Sequence, residues 1–206
     1  GQNINPNEPI ITIKIIEGET GEIKITGTKR LNTDYIRSRL ELVSQKPFDT
    51  KRLLEALQKL QLNPLIENIS AELSTGVRPQ SSLLSVNITE ADSFNLKLLS
   101  DNGRVPSVGS WRRGFLLNEA NLFGFGDSVF LNYYNTDGSN AVDFNYTIPF
   151  NPHNGTIGIT TRFNQTEIIE HPFDRLDITG NSLSYELTLR QPISQTISQS
   201  TSQDFA

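Results

Sequence analysis

From residue 94 onward the chain alternates apolar and polar positions in run after run. Val142, Phe144, Tyr146 and Ile148 interleave with Asp143, Asn145 and Thr147. Ile157, Ile159, Thr161 and Phe163 interleave with Gly158, Thr160 and Arg162, and Leu183, Tyr185, Leu187 and Leu189 with Ser184, Glu186 and Thr188. A period of two is that of a β-strand with one apolar and one polar face. Each run is also about as long as a tilted strand that crosses a bilayer. One face suits lipid and the other a water-filled lumen, so the pattern predicts an outer-membrane β-barrel. Strands are predicted over 94–102, 110–119, 127–135, 141–150, 154–167 and 178–191. The connections at 121–126 and 151–154 are short, that at 165–177 is long, and those at 103–109 and 136–140 are intermediate. They alternate sides, as expected of short periplasmic turns and longer external loops. Six strands are too few to close a barrel, since natural ones start at about eight. The polar run from Ser194 to Gln203 reads as the start of a further hairpin.

The first 92 residues have a different rhythm. Residues 1–9 are mostly polar with two prolines and read as a linker or tail. Ile10–Glu17 is a short β-rich run, and Gly21–Thr26 is a second strand with clean alternation. The pattern then turns helical. Asn32 or Thr33 can cap a helix from Asp34 to Leu42, with Ile36, Leu40 and Val43 on one side. Asp49 caps a second helix, and Phe48 can staple onto Leu53. Leu53, Leu54, Leu57 and Leu60 predict its apolar stripe, and Pro64 ends it. Two strands, 66–73 and 83–89, follow around a hairpin loop at Thr75–Pro79. Strand, helix, helix, strand, strand makes a compact α+β module with both helices on one face of the sheet.

Composition narrows the picture by exclusion. The chain has 206 residues and a net charge of −5, which argues against a general nucleic-acid binder. Without cysteine there is no disulfide framework or thiolate metal site. His153 and His171 stand alone in loops, so no metal centre, cofactor site or catalytic triad can be assembled. No apolar run reaches the length of a transmembrane helix. The opening Gly1-Gln2-Asn3 carries no leader pattern, and predicts a piece of a longer precursor whose signal peptide lies upstream.

Four phrases carry a resemblance by their order and spacing. They are Ile16-Glu17-Gly18 leading into Gly21-Glu22-Ile23; Leu57–Pro64 followed by Ile66–Leu73 and Gly76; Asp101-Asn102-Gly103; and Asn118-Glu-Ala-Asn-Leu-Phe-Gly-Phe-Gly-Asp127. Together they resemble the TpsB transporters of two-partner secretion, the ShlB/FhaC/HecB-type outer-membrane family. The resemblance implies that residues 1–17 are a linker and the last strand of a preceding POTRA domain. Residues 18–92 are then a β-α-α-β-β POTRA domain, and 93–206 the first antiparallel strands of a transmembrane β-barrel. It implies an outer-membrane location, a periplasmic POTRA, and a secreted TpsA-type exoprotein recognised through its N-terminal secretion domain. Outer-membrane lipid is the other partner; no nucleic acid, small-molecule substrate or cofactor is implied. The Asn-Leu-Phe-Gly phrase also occurs in BamA-type insertases, which stand as one alternative. A soluble β-sandwich binding module over 94–191 stands as another.

The candidate residues follow. In the family's strand order the first strand of the terminal hairpin is a sheet edge, whose unpaired main-chain groups can take up an extended client. Here that is Ile66, Asn68, Ile69, Ser70, Ala71, Glu72 and Leu73. The second helix, with Leu53, Leu57 and Leu60, would floor the groove beside it; the alternative is that these leucines are buried core. A proline at Ile69 should then weaken client binding. Gly124, Gly126 and Asp127 read as a tight structural turn. Arg162 and Arg190 fall at polar-face positions and are expected to face the lumen, with Arg112 and Arg113 as further candidates. Trp111, Tyr133, Tyr134 and Tyr146 are candidates for interfacial aromatic girdles.

Overall fold

The computed structural model describes residues 19–44, 49–75, 81–195 and 200–205. Residues 1–17, Phe48 and most of the 75–79 hairpin loop lie outside them. The elements are β1 (Glu19–Thr26), α1 (Thr33–Glu41), α2 (Thr50–Gln61), β2 (Ile66–Thr75), β3 (Ser81–Glu90), β4 (Phe94–Asp101), β5 (Arg112–Glu119), β6 (Ser128–Thr136), β7 (Ser139–Pro149), β8 (Thr156–Glu167), β9 (Thr179–Gln195) and β10 (Ser200–Phe205). They form a three-stranded sheet in the order β1-β3-β2 and a seven-stranded antiparallel meander in chain order.

The first unit closes around a small core. Asn32 caps α1 through its side chain, which accepts from the Asp34 N–H, and Asp49 caps α2 through the Lys51 N–H. Ile36 and Leu40 of α1 and Leu53 and Leu60 of α2 are buried against Ile23, Leu84, Val86 and Ile88 of the sheet. Leu57 is partly buried against the same core. Leu53, Leu57 and Leu60 are therefore core rather than the floor of an open groove. Leu54 departs from the expected stripe and is 57% exposed. It follows Leu53 by one position, about 100° around the helix, which carries it off the buried face.

The second unit is one sheet. Its register aligns the apolar positions of six successive strands on a single face. One row runs Leu98, Phe115, Tyr133, Val142, Phe163, Leu183, and the next Leu96, Leu117, Leu131, Phe144, Thr161, Tyr185. A third runs Phe94, Glu119, Val129, Tyr146, Ile159, Leu187. Above them a polar row, Ser100, Arg113, Asn135, Asn140, Gln165, Asn181, ends the apolar belt. Leu98, Leu183 and Leu187 are 83%, 57% and 66% exposed. Among the described residues no second sheet covers this face, so residues 94–191 are not a β-sandwich.

The six predicted strands are present, and the polar tail forms the further hairpin expected of it: β9 extends to Gln195 and pairs with β10 as a seventh strand. One expectation about the connections changes. The connection after Thr136 is a two-residue turn, Asp137-Gly138, rather than an intermediate loop. It is held down from both sides: the Gly138 N–H donates to the Val108 carbonyl, and the Gly138 carbonyl accepts from Glu167 N–H.

Candidate functional site: a sheet edge, a joint and two faces of a sheet

The strand order leaves β2 at an edge of the small sheet. Ile66 and Ile69 both face the core although they are three residues apart. A break in register between Ile66 and Asn68 makes this possible, because the extra residue shifts the alternation by one. Asn68, Ser70, Ala71 and Glu72 are exposed, and Leu73 is 44% exposed.

The outward main-chain groups of β2 are not all open. The Gln61 carboxamide, at the end of α2, accepts from the Ile69 N–H at 2.9 Å and donates to the Glu67 carbonyl at 3.0 Å. An antiparallel strand turns its N–H and C=O alternately toward and away from its partner. Since Ile69 points away from β3, so do Ala71 and Leu73 in the same register. Open pairing therefore starts at Ala71. A proline at Ile69 would break the bond to Gln61 rather than remove an open donor, so Ala71 is the position that tests the edge.

The predicted turn around Gly124 is the joint between the two units. Asp127 is fully buried, and its carboxylate accepts from the Phe123 N–H (3.0 Å), the Phe125 N–H (3.4 Å) and the Tyr146 hydroxyl (3.2 Å). Asn121 is also buried, and its side-chain oxygen accepts from the Gly126 N–H at 3.0 Å. Gly124 and Gly126 have φ of 92° and 73°, which side chains with a Cβ rarely adopt. A Cβ on Gly124 would lie 2.7 Å from the Arg30 carbonyl oxygen, and one on Gly126 would lie 2.6 Å from the Tyr35 ring. The glycines serve both the turn and the close approach of the first unit.

Arg30 and Glu90, which the sequence reading did not single out, complete the joint together with the helix cap Asn32. Arg30 donates to Ser93 Oγ (2.8 Å), the Asn121 carbonyl (2.9 Å) and Glu119 Oε2 (3.3 Å). Asn32 N–H donates to the Gly124 carbonyl at 2.8 Å. Glu90, the last residue of β3, accepts from the consecutive N–H groups of Lys29, Arg30 and Leu31. Burial alone would raise the Glu90 carboxyl; the three N–H donors and the nearby Arg30 charge outweigh it and hold it below the usual glutamate value. Nearby, Arg39 lies 3.6 Å over the Tyr35 ring and donates to Asn154 Oδ1 from Nη2 at 3.1 Å. Apart from Arg39 and Tyr35, these partners are 59 to 115 positions apart and leave no local signal in the sequence.

The face opposite the apolar belt is polar. Lys97, Leu116, Asn132, Asp143, Arg162 and Ser184 form one row of it. Arg162 donates to Glu186 at 3.1 Å, and Asn132 to Asp143 at 3.1 Å. Arg190 shares this face, three alternations along β9 from Ser184. Arg112 is also on it, paired to Asp101 at 2.9 Å, whereas Arg113 belongs to the polar row that ends the belt. Tyr133 and Tyr146 lie on the belt face; Tyr134 lies on the other, under Arg104 and Arg112.

Comparison with known proteins gives this arrangement a family. The family of haemolysin secretion/activation proteins ShlB/FhaC/HecB matches residues 80–206. The chain belongs to this ShlB/FhaC/HecB family. The POTRA family, described as a surface antigen variable number repeat, matches residues 19–91. The family is one of outer-membrane secretion proteins, and the chain carries a periplasmic POTRA domain followed by outer-membrane barrel strands. It is 27% identical over 115 residues to the outer membrane protein assembly factor BamA of Neisseria meningitidis serogroup B, over 53% of this chain and 14% of that protein. In fold it is similar to BamA from Haemophilus ducreyi lacking POTRA domains 1–3 (TM-score 0.62, 14% identity, 85% of this chain and 32% of that one). It is also similar to CdiB from Escherichia coli (TM-score 0.60, 15% identity, 87% and 34%). The chain therefore spans about a third or less of the length of these relatives. The matching family is described by secretion and activation, and the Neisseria relative by outer membrane protein assembly.

Proposed function

We propose that this ShlB-family chain is part of an exporter that moves a secreted partner protein across the outer membrane. Its POTRA domain, residues 18–92, takes up the partner's N-terminal secretion domain as an added strand along β2. Residues 93–206 contribute the first strands of the barrel through which the partner leaves as an extended chain, with residues 1–17 continuing from a preceding POTRA. The observation that carries this reading is the open stretch of β2 from Ala71 to Leu73, next to a sheet whose family model is that of a secretion protein. Arg162 and Arg190 then line the lumen. The Arg162–Glu186 pair supplies both charge signs there, a surface to which an unfolded chain does not adhere strongly.

A proline at Ala71 is the direct test. An edge strand tolerates proline where its N–H points to solvent, so Ala71→Pro keeps the β2–β3 ladder while deleting one outward donor. In cells making the full-length protein, Ala71→Pro should lower the partner in the medium several-fold with the barrel still assembled. Secretion at the wild-type level would sink the strand-addition reading. A second reading, assembly of other barrels into the membrane, draws on the BamA likeness. It predicts instead that Ala71→Pro reduces the levels of many unrelated outer-membrane proteins.

A further inference from the structure

The joint turn has a second side. Its backbone faces the POTRA domain through Gly124 and Gly126, while its large side chains stay exposed. Leu122, Phe123 and Phe125 are 42%, 68% and 49% exposed, three of four consecutive residues. The turn is not loose: Asp127 and Asn121 fix the N–H groups of Phe123, Phe125 and Gly126, so these side chains cannot be withdrawn by refolding the loop. A rigid apolar tip is an interaction surface rather than ordinary scattered exposure.

Its occupant follows from continuity with the apolar belt. The Phe123 ring meets the Tyr146 ring edge-on at 6.4 Å, and Tyr146 sits in the belt row that runs through Val129 and Ile159. Phe94, 56% exposed, begins the same row. The one charge in that row, Glu119, is 7% exposed and paired with Arg30. The surface that leaves the lipid face at Tyr146 thus runs without a charged break onto Phe123. Aromatic side chains at such a level belong at the boundary between acyl chains and headgroups.

We propose that the 120–127 turn is a membrane anchor, with Phe123 inserted at the acyl–headgroup boundary of the periplasmic leaflet. The same eight residues hold Arg30, Asn32 and Tyr35, so the leaflet sets the height at which the POTRA domain sits beneath the barrel.

A spin label separates the possible occupants. This chain contains no cysteine, so one can be introduced at Phe123 once any cysteine elsewhere in the full-length protein is replaced. The labelled protein is reconstituted in phosphatidylethanolamine/phosphatidylglycerol bilayers, and collisions with oxygen and with a water-soluble nickel chelate are compared. Leu131→Cys, in the middle of the belt, is the lipid control, and Asn102→Cys is the water control. Leu122→Cys repeats the measurement should Phe123→Cys fail to assemble. The anchor predicts oxygen collisions at 123 several-fold above those at 102, and chelate collisions several-fold below. Chelate access at 123 equal to that at 102, with 131 still in lipid, overturns the anchor and leaves the barrel standing. Low access to both reagents means that protein covers the tip, and also overturns it.

Discussion

The POTRA sheet and the barrel sheet treat the same kind of residue in opposite ways. In the first, β3 is flanked by β1 and β2 and covered by two helices, and Leu84, Val86 and Ile88 are each 1% exposed. In the second, Leu98, Leu187 and Tyr185 are 83%, 66% and 71% exposed on an equally apolar face. The first closes its core with its own chain, so water drives it together. The second leaves the covering to lipid, where a barrel strand needs only its ladder bonds and an apolar exterior. Alternation looks alike in both; what differs is whether helical periodicity accompanies it.

The sharpest way to break this comparison is to place a charge on each face of one strand. Leu131→Arg puts a guanidinium in the middle row of the belt and should cost about 2–4 kcal/mol in a bilayer. Its neighbour Asn132→Arg points to the polar face and should be close to neutral. Urea titration of the full-length barrel in vesicles measures both; equal costs would mean that the two faces are not distinguished by lipid.

In the POTRA core the expected loss has another origin. Leu40→Ala removes a fully buried side chain and should destabilise the domain by about 2–5 kcal/mol through lost transfer energy and a cavity. The size matches that of Leu131→Arg, but the loss should not change with bilayer thickness. A melt of the periplasmic part in bilayers of two acyl lengths checks this.

The joint ties the two regions, and its glycines should be intolerant. Gly126→Ala sets a Cβ against the Tyr35 ring at a positive φ, and should loosen the POTRA domain from the rim while each unit stays folded. Faster proteolysis at 91–93 with unchanged barrel mobility is the expected result.

The smallest effect concerns acid. The folded Glu90 carboxyl is held below its ordinary value of 4.5, so its contribution is fully present above that value. It is lost as pH falls through the lower, folded value. Wild-type POTRA should therefore weaken below pH 4.5 relative to Glu90→Gln, and a titration of melting temperature reads the difference.

Much of this was legible in the sequence, for physical reasons. Strands β7, β8 and β9 show an uninterrupted period of two because each side of the sheet meets a different solvent. The caps at Asn32 and Asp49 are local, and the residue types declare them. Leu54 misled because leucine favours helices whether buried or exposed. The tight Asp137-Gly138 turn was hidden because it is held by Val108 and Glu167, distant in sequence. Gln61 on the β2 edge, and the cluster of Arg30, Glu90 and Glu119, depend on where two units meet. No periodicity records that.

The measurement that tests the central claim most directly is photocrosslinking from Glu72, an exposed β2 residue that flanks the open groups without supplying them. A photoreactive amino acid is placed there in the full-length protein, and the cells are illuminated while secretion proceeds. The exporter account predicts one major adduct, to the N-terminal region of a single large secreted protein, which Ala71→Pro removes. Adducts spread over many outer-membrane proteins through their C-terminal strands would contradict it.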